Sequence, residues 1–246
     1  NKSKINTYNN IDLLIKNENI DLAVVATDIN SHFKVINKLI SNNIKSIVCE
    51  KPCCKNLDQF IKLKNKLSKK NINLFTYYPR RYHQSFIDIK NNNKNNIIIR
   101  IYAKISGKYY ENACHLIDLI SFLAHDKLKL INKKKNKKIK IYNFINKKNK
   151  FEVEILHEKE NAKFYEIIII YEKNIIYLNY GGRNIYSNEL SQMNDISKNN
   201  FFEKKQSFSH AQAMKNFYSI LSTKINYKIK FNNIPSTNFV HKVLNE

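Results

Sequence analysis

Residues 22–28, LAVVATD, form a short apolar, β-branched run that turns polar at its carboxyl end, the pattern of a strand buried on both faces. Immediately after it, Phe33, Ile36, Leu39 and Ile40 recur at helical spacing, which predicts a helix over 32–43 with Asn30 or Ser31 as its N-cap. The alternation repeats. KSIVCE (45–50) reads as a second strand, LDQFIKLKNKLSKK (57–70) as a second amphipathic helix and NINLFTYY (71–78) as a third strand. Strand–helix–strand–helix–strand in under sixty residues is a pair of βαβ crossovers, one half of a doubly wound sheet. Residues 8–18, YNNIDLLIKNE, predict a helix leading into the first of these strands.

Near residue 90 the pattern changes. NNNKNN (91–96) is a polar break, and long strands are expected after it at 97–106, 139–145, 151–157, 163–172 and 175–180, with Gly181-Gly182 as a turn. One helix, about 112–125, interrupts them, and helices at 207–222 and 236–245 close the chain. The fold class expected is α/β plus α+β. An incomplete Rossmann domain with a doubly wound parallel sheet covers 1–82, and an open, mainly antiparallel sheet with flanking helices covers 83–246.

Composition narrows the functional classes. A hydrophobic fraction of 43% in 246 residues supplies a proper core, and no apolar run approaches the ~18 residues of a membrane span. The N-terminal NKSKINTYNN lacks the apolar stretch of a signal peptide, and the four cysteines show no framework spacing. Reduced thiols, a cytoplasmic location and no membrane partner are the expectations. The formal charge of +23 would suggest nucleic acid, but the lysines come with abundant Asn and Ile and run along the whole length. The densest cluster, NKKKNKKIK (132–140), reads as an exposed loop entering a strand, so no nucleic-acid partner is expected.

In a doubly wound sheet, ligands bind beyond the carboxyl ends of the strands, and two motifs fall there. ATDINSH (26–32) follows the first strand and CEKP (49–52) the second. Cys53 and Cys54 are adjacent and cannot easily direct both thiolates at one metal, so they read as helix-entry residues and no metal site is expected.

The two motifs, with their spacing, resemble the glucose–fructose oxidoreductase and inositol dehydrogenase (Gfo/Idh/MocA) family, which carries an A-T-P-N-x-x-H-like turn followed by E-K-P about twenty residues later. Thr27 and His32 match, while Asp28 and Ile29 stand where the family usually has Pro and Asn. TYYPRRYHQSF (76–86) looks like the segment joining the family's two domains. GKYYENACHLIDLISFL (107–123) resembles its G…D/N-x-x-x-H-x-x-D-L-L helix. The Gly181-Gly182 hairpin and SHAQAMKNFYSIL fit its C-terminal domain.

The resemblance implies an NAD- or NADP-dependent oxidoreductase acting on a hydroxyl or keto carbon of a sugar, cyclitol or nucleotide sugar. It places Lys51 between nicotinamide and substrate. There an ammonium can hydrogen-bond the hydroxyl being oxidised and stabilise developing alkoxide. Glu50 would contact the cofactor or orient Lys51, Pro52 would hold the turn, and Thr27 and His32 complete the cofactor side. His115 is the candidate proton acceptor, with Glu111 one helical turn earlier to polarise it. Asn112 and Arg81, with His83 behind them, are the candidate substrate contacts. The bland readings are a solvated lysine at a strand end and a histidine packed on an amphipathic helix. Asp118 reads as a residue that sets the same helix. A homo-oligomer built through the open sheet is expected.

A complete family member opens with a strand, a G-x-G-x-x-G turn and a helix, whose glycines let the backbone approach a pyrophosphate. The first glycine here is Gly107, so the chain is expected to start inside the cofactor domain. A competing expectation is a degenerate relative serving as a sugar-binding or assembly subunit. A third is a basic nucleic-acid-binding protein.

Overall fold

A computed structural model of the chain describes residues 5–125, 127–147, 149–158, 165–189, 203–206, 209–226 and 234–245. The chain divides into two compact units, one of residues 1–77 with 230–241 and 245, the other of 78–229 with 242–244 and 246.

The first unit begins with α1 (Ile11–Asn17), capped by the Asn10 side chain, which accepts from Asp12 N–H. It continues through β1 (Ala23–Val25), α2 (Ile29–Ser41), β2 (Ser46–Glu50), α3 (Leu57–Lys70) and β3 (Asn73–Tyr77). The three strands pair in parallel in the order β1-β2-β3, with Val25 opposite Cys49 and Cys49 opposite Thr76. Ile36, Leu39 and Ile40 of α2 and Phe60, Leu63 and Leu67 of α3 are buried with Ile47 and Leu74 of the sheet, as their spacing requires. Asp28, not Asn30 or Ser31, is the N-cap of α2, because its carboxylate accepts from the Asn30 N–H. Cys49, Cys53 and Cys54 lie in the same core. The free thiols of Cys49 and Cys54 hydrogen-bond to Cys53, which lowers the Cys53 pKa.

The sequence gives no hint of His241. It stacks on Phe60 with ring centroids 4.8 Å apart and is fully buried. Nearby, the Thr237 hydroxyl donates to Thr76 Oγ1 at 2.9 Å. Burial pushes the His241 pKa down from 6.5 to about 4. The folded unit therefore holds a neutral ring where the unfolded chain binds a proton, so this stability is full above about 6.5 and lost as pH falls towards 4. By pH ~4.5 the loss is about 2–3 kcal/mol. Thermal melts across this range should show the loss in the wild type and a shallower one in His241→Phe.

The second unit opens with a 3-10 turn, Pro79–Tyr82, and α4 (Gln84–Asn92). Then come β4 (Ile98–Ser106), α5 (Tyr109–Leu123), β5 (Lys129–Lys135), β6 (Ile139–Ile145) and β7 (Lys150–Glu158). β8 (Tyr165–Tyr171), β9 (Asn174–Asn179), a 3-10 turn at Tyr180–Gly182, β10 (Asn184–Glu189) and β11 (Glu203–Gln206) complete the sheet. The last helices are α6 (His210–Asn226) and α7 (Ile234–Asn245), α7 being shared between the two units. The expected residues 163–164 and 207–208 lie outside those described.

The eight strands run β11-β10-β9-β8-β4-β7-β6-β5, every neighbouring pair antiparallel except β4–β7. The expected fold class, a parallel Rossmann-like sheet and then an open, mainly antiparallel one, is borne out. One face buries Ile101, Ile105, Val153, Ile155, Ile167, Ile169 and Leu178, while α5 buries Leu116, Ile117 and Ile120. The opposite face carries Tyr102, Leu156, Ile168 and Tyr177 around a shallow cavity of about 230 Å³.

One element is a correction. The stretch expected as an exposed loop over 132–140 is largely a hairpin, because β5 pairs antiparallel with β6 from Lys129↔Ile145 to Lys135↔Lys140. Its backbone hydrogen bonds make the strand, and its side chains carry no alternation to reveal it. Asn136 closes the turn, its side chain accepting from the Lys138 and Ile139 N–H groups.

Gly182 has φ +96°, and a Cβ there would lie 2.6 Å from Phe86 Cζ. A side chain costs both left-handed strain and overpacking. Gly182→Ala is expected to destabilise the second unit by about 2–4 kcal/mol, read as a lower midpoint in urea melts.

Candidate functional site

The two sequence motifs lie at the carboxyl ends of β1 and β2. The ring of His32, buried at 2% exposure in the first turn of α2, fastens them together. Its Nε2 lies 2.9 Å from the Thr27 carbonyl and its Nδ1 3.0 Å from the Pro52 carbonyl. His32 is thus a clamp between the turn after β1 and the Glu-Lys-Pro turn after β2, and offers no free edge to a ligand. Thr27 is exposed and accepts at Oγ1 from the Ser31 hydroxyl at 2.7 Å. Glu50 and Lys51 are half-buried, and Pro52 is buried after a cis peptide bond. Beneath the turn, Cys49, Cys53 and Cys54 are all at 0% exposure, so Lys51 stands on a packed base.

In the second unit, β4 ends at Ser106, and Gly107, with φ +73°, turns the chain into α5. The Asn112 amide donates to the Ser106 carbonyl at 2.6 Å and fastens that turn. Glu111 already belongs to α5 and pairs with Lys108 at 3.1 Å, one turn before the half-buried His115. The His115 ring meets Tyr165 edge to face, with centroids 6.5 Å apart.

Arg81 is held by an ion pair with Asp118. Its Nε donates to both carboxylate oxygens of the buried Asp118, at 2.8 and 2.7 Å. The pair holds the Pro79–Tyr82 turn against α5, and a substrate contact by Arg81 would have to share it with Asp118. His83 caps α4, its Nδ1 accepting from Ser85 N–H, and its Nε2 lies 3.0 Å from Ser209 N. Burial lowers its pKa.

Sequence reasoning missed Arg80 and Tyr165. The Arg80 guanidinium lies 4.5 Å from the centroid of the Tyr165 ring and donates twice to the Gly181 carbonyl, at 3.1 and 2.9 Å. The Tyr165 hydroxyl is buried without a hydrogen-bond partner among the described residues, and burial pushes its pKa up to about 12. The twin glycines are one signal: Gly181 has φ +71°, and a Cβ there would sit 2.9 Å from Arg80 Nη2.

These residues fit part of a dinucleotide. Thr27, Glu50 and Lys51 form a polar rim at strand ends, whereas residues 5–77 supply no glycine turn for a pyrophosphate.

Comparison with known proteins follows the same line. Residues 1–78 match the Gfo/Idh/MocA model, described as an oxidoreductase family with an NAD-binding Rossmann fold. Over this region the chain is similar to that family, in line with the motifs at its strand ends. An uncharacterized oxidoreductase of Schizosaccharomyces pombe is 29% identical over 86 residues, which are 35% of this chain and 23% of that relative's length. The fold extends further. A dehydrogenase from Chromobacterium violaceum superposes with TM-score 0.77 at 12% identity, over 99% of this chain and 80% of its own. An inositol dehydrogenase homolog from Azotobacter vinelandii, complexed with NADH and myo-inositol, gives TM-score 0.69 at 10% identity over 94% and 76%. Among the described residues, no helix is long and apolar enough to cross a membrane.

Proposed function

We propose that the protein is an NAD(P)-dependent oxidoreductase that moves a hydride between nicotinamide and a secondary alcohol or ketone of a sugar, cyclitol or nucleotide sugar. The observation that carries this reading is the His32 clamp, which holds the Thr27 and Lys51–Pro52 turns together at the strand ends. The name of the inositol dehydrogenase homolog, bound to NADH and a cyclitol, supports the substrate class.

Bound nicotinamide supplies the hydride acceptor. Thr27, Glu50, Lys51 and Pro52 would hold it, and His32 sets the spacing of the loops they occupy. Lys51 donates to the substrate oxygen and stabilises alkoxide charge as the carbon is oxidised. His115 accepts the hydroxyl proton, with Glu111 one turn earlier to favour the charged ring. Asn112 and Arg81 orient neighbouring hydroxyls. A second copy of the chain would cover the open sheet face around Tyr102, Leu156, Ile168 and Tyr177.

The test is a turnover screen of the polypeptide as its gene encodes it, with NAD and NADP, against cyclitols, sugars and nucleotide sugars. Nicotinamide reduction with one of them supports the proposal. Polyol binding without reduction would instead identify a sugar-binding subunit.

A further inference from the structure

About half of the net charge falls in one stretch of the sequence. Residues 127–151 hold eleven lysines and neither Asp nor Glu, so 25 residues carry 11 of the 23 net positive charges. The sequence spreads these lysines along a line, but the fold gathers most of them on the β5–β6 hairpin, at the outer edge of the eight-stranded sheet. Lys134, Lys135, Lys137 and Lys138 are all exposed. Lys135 stands directly opposite Lys140, whose ammonium lies 4.0 Å from the centroid of the Tyr109 ring.

Three carboxylates of β7 are engaged by cations of the neighbouring β4. Glu152 and Glu154 pair with Arg100, and Glu158 with Lys104, both cations of β4. Among the described residues, no carboxylate pairs with Lys134, Lys135, Lys137 or Lys138. A single lysine is enough to guard an edge strand against aggregation, so this concentration exceeds what edge protection asks.

We propose that the β5–β6 hairpin is a docking surface for the phosphodiester backbone of duplex nucleic acid, independent of base sequence. Lys134 and Lys135 end β5 on opposite faces of the strand and Lys137 and Lys138 follow in the turn, so the hairpin tip offers four ammonium groups close together to the phosphates that flank a groove. Release of condensed counterions then drives binding. A lipid surface fits less well, because lipid docking draws on apolar insertion and the outer strand offers only Ile131, 48% exposed.

The experiment is fluorescence polarisation with a labelled duplex DNA of random sequence, across a salt series. Four lysine–phosphate contacts give a log–log salt slope of about −4. The variant Lys134→Gln, Lys135→Gln, Lys137→Gln, Lys138→Gln should flatten the slope and weaken low-salt affinity on the order of 10²-fold. A control removing four exposed lysines elsewhere, Lys55→Gln, Lys62→Gln, Lys64→Gln and Lys69→Gln, should stay near the wild type. Both variants should melt like the parent. Absence of binding by the wild type, equal losses in both variants, or binding to phosphatidylserine vesicles with none to DNA would overturn the proposal.

Discussion

Lys51→Met should lower kcat by about 10²–10³ on the substrate that the parent enzyme turns over, with its thermal midpoint unchanged. Methionine keeps the length of the side chain and removes its charge and donors. The turn beneath is fixed by other groups, since His32 holds the Pro52 carbonyl and the three buried cysteines pack below. Loss should therefore appear in the rate while the fold stays intact. Steady-state kinetics beside a melting curve decide it, and near-parental kcat would remove Lys51 from the chemistry.

His115→Ala is expected to reduce kcat by ~10²–10⁴, the range of a general base, with cofactor affinity little changed. The half-buried ring lies edge to face with Tyr165 on a helix otherwise buried through Leu116, Ile117 and Ile120. If the histidine were only packing, its removal would lower the melting midpoint and leave the rate per folded molecule alone. Measuring kcat, nicotinamide affinity and stability on the same preparation separates the two. A pH–rate profile adds a further readout, because the acid limb should vanish with the base.

Much of the first unit could be read in advance because its elements follow their hydrophobic period. β1, β2 and β3 are apolar runs, and α2 and α3 bury one stripe each. The motifs there also stand at strand ends, where sequence alone can place them. β5 was missed for the opposite reason: KLINKKK is held by backbone pairing to β6, and it buries almost nothing. The Arg81–Asp118 pair was hidden because it joins positions 37 residues apart. Arg80 and Tyr165 escaped for a similar cause, since the guanidinium reaches Gly181 across 101 positions. His241 looked like an ordinary helix residue until its stack on Phe60 was seen. Short-range patterns reveal elements, and polar groups buried by long-range contact stay hidden in them.

Direct hydride transfer is tested most directly with an isotope. The polyol identified by the turnover screen is supplied with deuterium on the carbon to be oxidised, and the recovered nicotinamide is weighed by mass spectrometry. The account predicts that the reduced nicotinamide gains the deuterium in the parent enzyme and that little labelled product forms with Lys51→Met. Deuterium released to water, or undiminished labelling in the variant, would contradict it.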